Sequence, residues 1–280
     1  VLSAMHLASV PDYVIDKPTQ SLGGALLSAL GLTLNWYEGR TGWLPGGWDV
    51  LWSLSIEEVF YLGFPLACLL LRDARWLALA LAALALSLPA TRAALADNEI
   101  WREKAYLPGM AAIATGVLAA MAVRRWRASA REATGLCVLG AVGLLAVLGW
   151  GGVLWPLLGN GTMLLLTASA ACLVTGLHWR QSHGLASAPR GTAWLRSCGR
   201  LSYEIYLTHM FVVFAIVGAF KLTGGGMRGG FWWYLALLPL CWGLGWALAR
   251  GFSEPCERAL RRRWLRPRAP QPARADPASP

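Results

Sequence analysis

Residues 52–61 read WSLSIEEVFY. Within them Glu57 and Glu58 stand side by side at the head of an apolar run that continues through Leu62, Phe64, Leu66 and Leu69 to Leu71. An ionised carboxylate placed in a hydrocarbon layer costs about 2.5–3.5 kcal/mol on insertion scales, so a membrane helix that carries one does so for a reason. Paired carboxylates can take a proton or stabilise a developing positive charge. On a helix Glu57 and Tyr61 are four residues apart and Glu58 and Tyr61 three, which brings the phenol within reach of either carboxylate. Ser53 and Ser55, just upstream, are placed to cap the first turn. The bland alternative is a solvated pair at the water interface.

A second polar cluster is SYEIYLTHM, Ser202 to Met210, which packs Tyr203, Glu204, Tyr206, Thr208 and His209 into the first two turns of another apolar run. A neutral histidine is less costly to bury than a carboxylate. His209 therefore reads either as a functional imidazole or as a hydrogen-bonded packing residue. A third segment, FSEPCERALRRRW at 252–264, sets Glu254-Pro255 directly after the last apolar run.

The elements that must position these residues are membrane helices. The chain is 56% apolar and only 14% charged, with a mean hydropathy of +0.46, whereas soluble domains carry about 25% charged residues. Many of its 16 tryptophans end apolar runs, among them Trp52, Trp76, Trp126, Trp150, Trp179, Trp232 and Trp233, as in an interfacial aromatic belt. Runs near the roughly 20 residues that cross a bilayer fall at about 54–71, 76–95, 108–123, 134–150, 153–177, 201–220 and 230–249. Shorter apolar pieces lie at 1–10 and 21–34. The expected fold is all-α, a polytopic transmembrane helical bundle of about seven spans plus two short N-terminal apolar segments.

Net charge is +10 and the isoelectric point is near 9.8. The arginines nevertheless cluster in short gaps and in the tail, not on a soluble basic face, so nucleic acid is not an expected partner. The gaps alternate. Arg72 and Arg75 fill a basic one, and the next, with Asp97, Glu99, Arg102, Glu103 and Lys104, is slightly acidic. Arg124, Arg125, Arg127 and Arg131 follow, then an uncharged Gly151-Gly152 turn, then Arg180, Arg190, Arg196 and Arg200. Lys221 to Arg228 form a weakly basic gap before an arginine-rich C-terminus. The alternation puts the basic loops and the C-terminus in the cytoplasm and Glu57 and Glu58 near the outer leaflet. Residues 1–266 read as the transmembrane domain. Residues 267–280, rich in proline and alanine, read as a disordered cytoplasmic tail. Arg261, Arg262 and Arg263 beside Trp264 suit an amphipathic segment held to anionic headgroups.

Cys68, Cys137, Cys172 and Cys241 lie inside expected spans, where cysteine behaves as a small hydrophobe. Cys198 and Cys256 fall on the expected cytoplasmic side, where disulfides are rare. No disulfide, metal site, Walker loop, dinucleotide fingerprint or HExxH is expected.

In this order the three segments resemble the acyltransferase-3 family of integral-membrane O-acyltransferases, which includes bacterial O-acetylases of lipopolysaccharide, peptidoglycan and other glycans. WSLSIEEVFYLGFP, Trp52 to Pro65, is similar to the family's W-S-L-S-V/I-E-E-x-F-Y-L-x-x-P segment. SYEIYLTHM is similar to its S-Y-x-x-Y-L-x-H element, and Glu254-Pro255 to a C-terminal E-P feature. The resemblance spans about 35–265. Two departures stand out. Val59 replaces a common glutamine, and Pro108-Gly109 is followed by Met110, Ala111 and Ala112 where arginine and aspartate are frequent. The family typically has about ten spans, three more than are counted here, and its first carries an arginine and the histidine thought to be catalytic. The chain begins at Val1 inside an apolar segment, and His6 is in the wrong context to replace that histidine. An N-terminally truncated member, or a gene model begun at a valine codon, is expected.

The resemblance implies a bacterial inner-membrane enzyme with its C-terminus cytoplasmic. It would move an acyl group from acetyl-CoA or another acyl-CoA to a glycan or lipid-linked sugar hydroxyl. No bound cofactor is implied; acyl-CoA is the donor substrate, and the lipid bilayer is the remaining partner. Glu57 and Glu58 would be catalytic. Trp52, Ser53, Ser55, Tyr61, Ser202, Tyr203, Tyr206 and His209 would bind substrate, and Arg200 with the cytoplasmic arginines would hold CoA phosphates. Residues 1–280 alone are expected to enter the membrane without catalysing transfer. Two other readings compete: a non-catalytic scaffold or export partner in glycan assembly, and a proton-coupled solute transporter built on the paired carboxylates. The topology is directly testable. Reporter fusions after about residues 128 and 190 should read cytoplasmic and one near 100 external; an external signal at 128 would reverse the orientation.

Overall fold

The structure is a computed structural model that describes residues 1–185, 191–223 and 230–264. The described residues are helical, with no strand among them. The proline-rich tail from 267 and much of the 221–228 gap lie outside them. The chain divides into two compact units, Val1–Arg190 and Gly191–Pro280.

The first unit opens with four short helices, α1 (Leu2–Leu7), α2 (Leu22–Leu30), α3 (Leu34–Thr41) and α4 (Gly46–Asp49). The apolar piece expected at 21–34 is thus broken: α2 ends at Gly31, and Leu32 takes φ 59° before α3 begins. Ile15, Ala25, Leu34, Leu44 and Trp48 form a buried core against which Leu22, Tyr37, Leu51 and Trp52 pack. Trp48 donates its indole N–H to the Tyr13 carbonyl at 3.1 Å. The Ile15 N–H reaches His6 Nδ1 at 3.0 Å, so His6 pins the N-terminal loop.

The membrane helices follow: α5 (Trp52–Leu70), α6 (Ala74–Leu86), the short α7 (Leu88–Ala93) and α8 (Glu99–Lys104), then α9 (Tyr106–Arg125), α10 (Ala130–Leu158) and α11 (Gly161–Ser182). The second unit holds α12 (Ala193–Arg200), α13 (Ser202–Leu222), α14 (Gly230–Leu248), a π-turn at Ala249–Ser253 and α15 (Glu254–Trp264). Among the described residues six stretches are long and apolar enough to cross a membrane: Gly46–Leu70, Glu99–Arg125, Ala130–Leu158, Gly161–Ser182, Ser202–Leu222 and Gly230–Trp264. α10 exposes Val138, Leu139, Val142, Leu145 and Leu148, as a lipid-facing helix does. With these helices, the chain is an integral membrane protein.

Two expectations about the spans need correction. The run expected at 76–95 is interrupted. α6 ends at Ser87, whose hydroxyl bonds the Leu84 carbonyl at 2.7 Å, and Pro89 opens α7 without an N–H to offer the previous turn. At 13 residues, α6 rises only about 20 Å. The turn expected at Gly151-Gly152 lies inside α10, which is kinked at Trp150 (φ −123°, ψ 25°). Glycine is well tolerated in membrane helices. The chain instead reverses at Gly159, whose φ of 52° suits a residue without a side chain.

The α10–α11 hairpin packs backbone against backbone. A Cβ on Gly140 would stand 2.4 Å from the Leu173 nitrogen and 2.6 Å from the Ser169 oxygen, and one on Gly176 would stand 2.7 Å from the Cys137 nitrogen. Such atoms cannot swing aside as a side chain does. Gly140→Ala should therefore lower the thermal midpoint in detergent, by the equivalent of about 1–3 kcal/mol. Gly149→Ala, with nothing within 4 Å, should not. Equal midpoints for the two variants would refute the close packing.

Candidate active site

The head of α5 is set by what precedes it. α4 runs into α5 through Val50 and Leu51, both in right-handed helical conformation. The cap position is Leu51, which makes no side-chain cap bond. Ser53 and Ser55 thus lie inside the helix and are not at its cap, contrary to the sequence expectation, because α4 delivers the chain already helical. Ser55 and Ile56 are buried, Glu57 is half-buried and Glu58 exposed. Tyr61 is 60% exposed. Among the described residues no hydrogen bond joins its hydroxyl to Glu57 or Glu58, so the expected phenol–carboxylate contact is not made. The buried face of α5 carries Ser55 and Ile56, while Glu58, Tyr61, Leu62 and Leu66 point outward with the lipid-facing residues. Trp52 packs partly buried on the N-terminal core.

α9 meets the same end of α5. A Cβ on Gly109 would come within 2.5 Å of Ile56 Cδ1 and 2.9 Å of its Cγ2, so the glycine lets the Ile56 side chain lie against α9. Gly109, just ahead of the departure at Met110, Ala111 and Ala112, thus makes an apolar contact with the residue before Glu57.

Behind this junction is a charge cluster that sequence reading missed. Lys104, the last residue of α8, is 2% exposed. Its ammonium donates to Glu38 Oε2 of α3 at 2.9 Å and to Asp49 Oδ1 of α4, and sits 4.2 Å from the ring centre of Trp43. Glu38 is fully buried and also accepts the Leu44 N–H at 3.0 Å. Asn35, equally buried, donates to the Lys104 carbonyl at 2.6 Å. Glycine again permits the approach: a Cβ on Gly39 would strike the Trp101 ring at 2.3 Å, which seats α8 on α3. In sequence, Lys104 was one charge among five in a loop, and its partners lie 55 and 66 residues away. The only local hint is the density of tryptophan around Glu38 and Asp49.

Burial pushes the Glu38 carboxyl up to about 7; Lys104 opposes the rise and Asp49 adds to it. Loss of hydration sets the direction, because it disfavours the charged carboxylate by more than the ammonium favours it. With one proton bound the cluster is neutral, and with none it carries a buried negative charge.

In the second unit, Ser202 and Tyr203 are exposed and Tyr206 and His209 half-buried. The His209 ring lies 5.7 Å from the Tyr206 ring, centre to centre. Its Nδ1 lies 2.7 Å from the Tyr206 carbonyl oxygen. A carbonyl can only accept, so Nδ1 is the donor in this contact. Gly245 of α14 packs on Ile205, where a Cβ would meet Ile205 Cγ1 at 2.7 Å. Glu254 pairs at 3.9–4.0 Å with Arg250 and Arg258 on an exposed surface, where such pairs contribute little. Among the described residues no cluster of His, Cys, Asp and Glu could hold a metal ion.

The family model described as an acyltransferase domain, of the acyltransferase-3 kind, matches residues 10–250. The chain belongs to the acyltransferase-3 family. Comparison with curated proteins and with solved structures returned no match. The acyltransferase-3 match takes in the Lys104 cluster, the head of α5 and the α13 histidine, and so identifies a membrane acyltransferase.

The cluster is testable apart from chemistry. Lys104→Met leaves the buried Glu38 and the half-buried Asp49 without their cation and should destabilise the fold by about 3–5 kcal/mol. The pH dependence has a definite sign. A carboxyl held protonated more firmly in the folded chain than in the unfolded one stabilises fully below the ordinary carboxylate range. That contribution is lost as pH rises through the folded value. Between about pH 5 and about pH 7.5 the wild-type thermal midpoint should therefore fall relative to that of Glu38→Gln. Parallel pH profiles would show that Glu38 does not titrate there.

Proposed function

We propose that the protein transfers an acyl group, acetyl foremost, from acyl-CoA to a hydroxyl of a cell-surface glycan or lipid-linked sugar, with Glu57 and Glu58 in the reacting centre. The observation that carries this reading is the half-buried Glu57 beside the exposed Glu58 at the head of a membrane helix whose start is fixed by a buried ion cluster, within a chain of an acyltransferase family. The matching chemistry is thioester-to-ester transfer. The acceptor oxygen attacks the thioester carbonyl, the carbon–sulfur bond breaks, and CoA leaves as a thiolate. The hydroxyl proton passes to a base and is returned to the sulfur, so that one ester and one free thiol result.

Glu57, less solvated than its neighbour, suits the base or the group that orients one. Glu58, open to the surroundings, suits the acceptor side. Tyr61, exposed one turn on, can donate to a sugar hydroxyl. Ser55 is buried and with Trp52 and Ser53 supports the helix head. His209 Nε2, with Ser202, Tyr203 and Tyr206 on the same helix, is assigned to the donor side, with Arg200 toward the CoA phosphates. The family resemblance favours a bacterial inner membrane, and the alternating arginine content of the gaps favours a cytoplasmic C-terminus.

The test is transfer from labelled acetyl-CoA in membranes holding the protein expressed from its complete reading frame. Glu57→Gln or Glu58→Gln should each reduce transfer by at least about 10²-fold at normal expression, the usual scale of lost acid–base or electrostatic support. Wild-type rates in both single variants and in the double variant would show the pair to be structural.

A further inference from the structure

Apart from the carboxylate pair, the first unit contains a cleft of about 1070 Å³ between α6, α9 and α11. It is larger than most ligand pockets, which run to roughly 1,000 Å³. Its walls are alanines, Leu118, Leu136, Met121 and Cys172, with Thr115 and Thr175 as the only hydroxyls. The start of α6 and the ends of α9 and α11 lie together at one mouth, and that mouth carries Arg75, Arg124, Arg125, Trp126 and Trp179. All three arginines are exposed, and among the described residues none is ion-paired. The nearest carboxylate in sequence, Asp73, caps α6 by accepting the Arg75 backbone N–H at 2.8 Å.

We propose that this cleft binds one anionic phospholipid, its phosphate among Arg75, Arg124 and Arg125 and its acyl chains along α9 and α11. Three features argue for this occupant. The mouth is cationic without a balancing carboxylate in the lining, which favours a phosphate-bearing headgroup over a zwitterionic one. From Arg125 to Thr115 the lining descends about ten residues, or ~15 Å, which is half of a roughly 30 Å hydrocarbon core and so the depth of one leaflet. Among the described residues the lining also contains no Asp, Glu, Asn or Gln to read the edge of an adenine. A nucleotide-bearing donor such as acyl-CoA therefore fits less well than a lipid of the leaflet that bathes this end. Trp126, 63% exposed at the rim, stands at headgroup level.

The experiment is lipid retention by the intact chain, purified from bilayers of equal phosphatidylglycerol and phosphatidylcholine and read by native mass spectrometry. One bound phosphatidylglycerol per chain is expected. The triple variant Arg75→Gln, Arg124→Gln, Arg125→Gln should lower the phosphatidylglycerol-to-phosphatidylcholine ratio by about tenfold or more. Ala78→Phe narrows the cleft and leaves every arginine in place; it should reduce retention of either lipid. Size-exclusion profiles confirm that each variant is folded, and a charge-conserving Arg→Lys triple variant should retain the lipid if either fails to fold. Retention unchanged by Ala78→Phe, with loss in the triple variant, would mean surface electrostatics alone and overturn the cleft assignment. So would displacement of the lipid by micromolar acetyl-CoA, which would make the cleft a donor site.

Discussion

The structure of the first unit depends on one ammonium group. Lys104 is buried almost completely, and a lysine in that position must be paired or neutral. It is paired twice, with Glu38 from α3 and Asp49 from α4, and Trp43 covers it. The neighbouring α3 and α4 and the sequence-distant α8 are thereby fixed to one point just before two membrane helices begin, α5 three residues after Asp49 and α9 two residues after Lys104. Where the polypeptide enters the apolar layer, and which face of α5 turns inward, follow from that point. The Gly109–Ile56 contact then holds the two helices together beside Glu57.

The larger buried cluster of this unit therefore lies outside the long helices. Its buried core is built from short helices and loops that carry aromatic, polar and charged residues together. The long helices bury few side chains and leave most leucines facing outward. Lipid tails are as apolar as leucine, so burying more of it against other helices gains little there. Close contact through small residues and polar anchors at the ends do more. The glycine approaches of α9 to α5 and of α10 to α11 fit that logic, and so does a cleft that small side chains leave open between α6, α9 and α11.

The sequence made the bundle legible because hydrophobic length is a strong signal: α9, α13 and α14 fall within a few residues of the expected spans. It failed where local grammar is ambiguous. Glycine pairs mark turns in soluble chains, yet Gly151-Gly152 sits within a kinked helix and the reversal comes at Gly159-Asn160. Ser53 and Ser55 looked like caps because nothing local reveals that α4 arrives already helical. Of the site, the Glu57–Glu58 pair was visible as adjacent charges against an apolar background. The Lys104 cluster was not, because its members are spread over the chain and each looks like an ordinary surface charge. Tyr61 was assigned by spacing alone, and spacing gives proximity without saying which way a helix face is turned.

The glycine packing of α10 on α11 has a kinetic consequence. Its contacts join residues a few turns either side of one tight reversal, so little chain must be ordered before they form. The Lys104 cluster needs segments more than fifty residues apart to meet. A nascent chain can therefore complete the α10–α11 pair as a single inserted hairpin soon after both helices have been made. Closure of the Lys104 cluster, by contrast, waits on a search through sequence-distant partners. Order of synthesis and order of folding then differ: α3, α4 and α8 are made before α10 and α11 and settle after them.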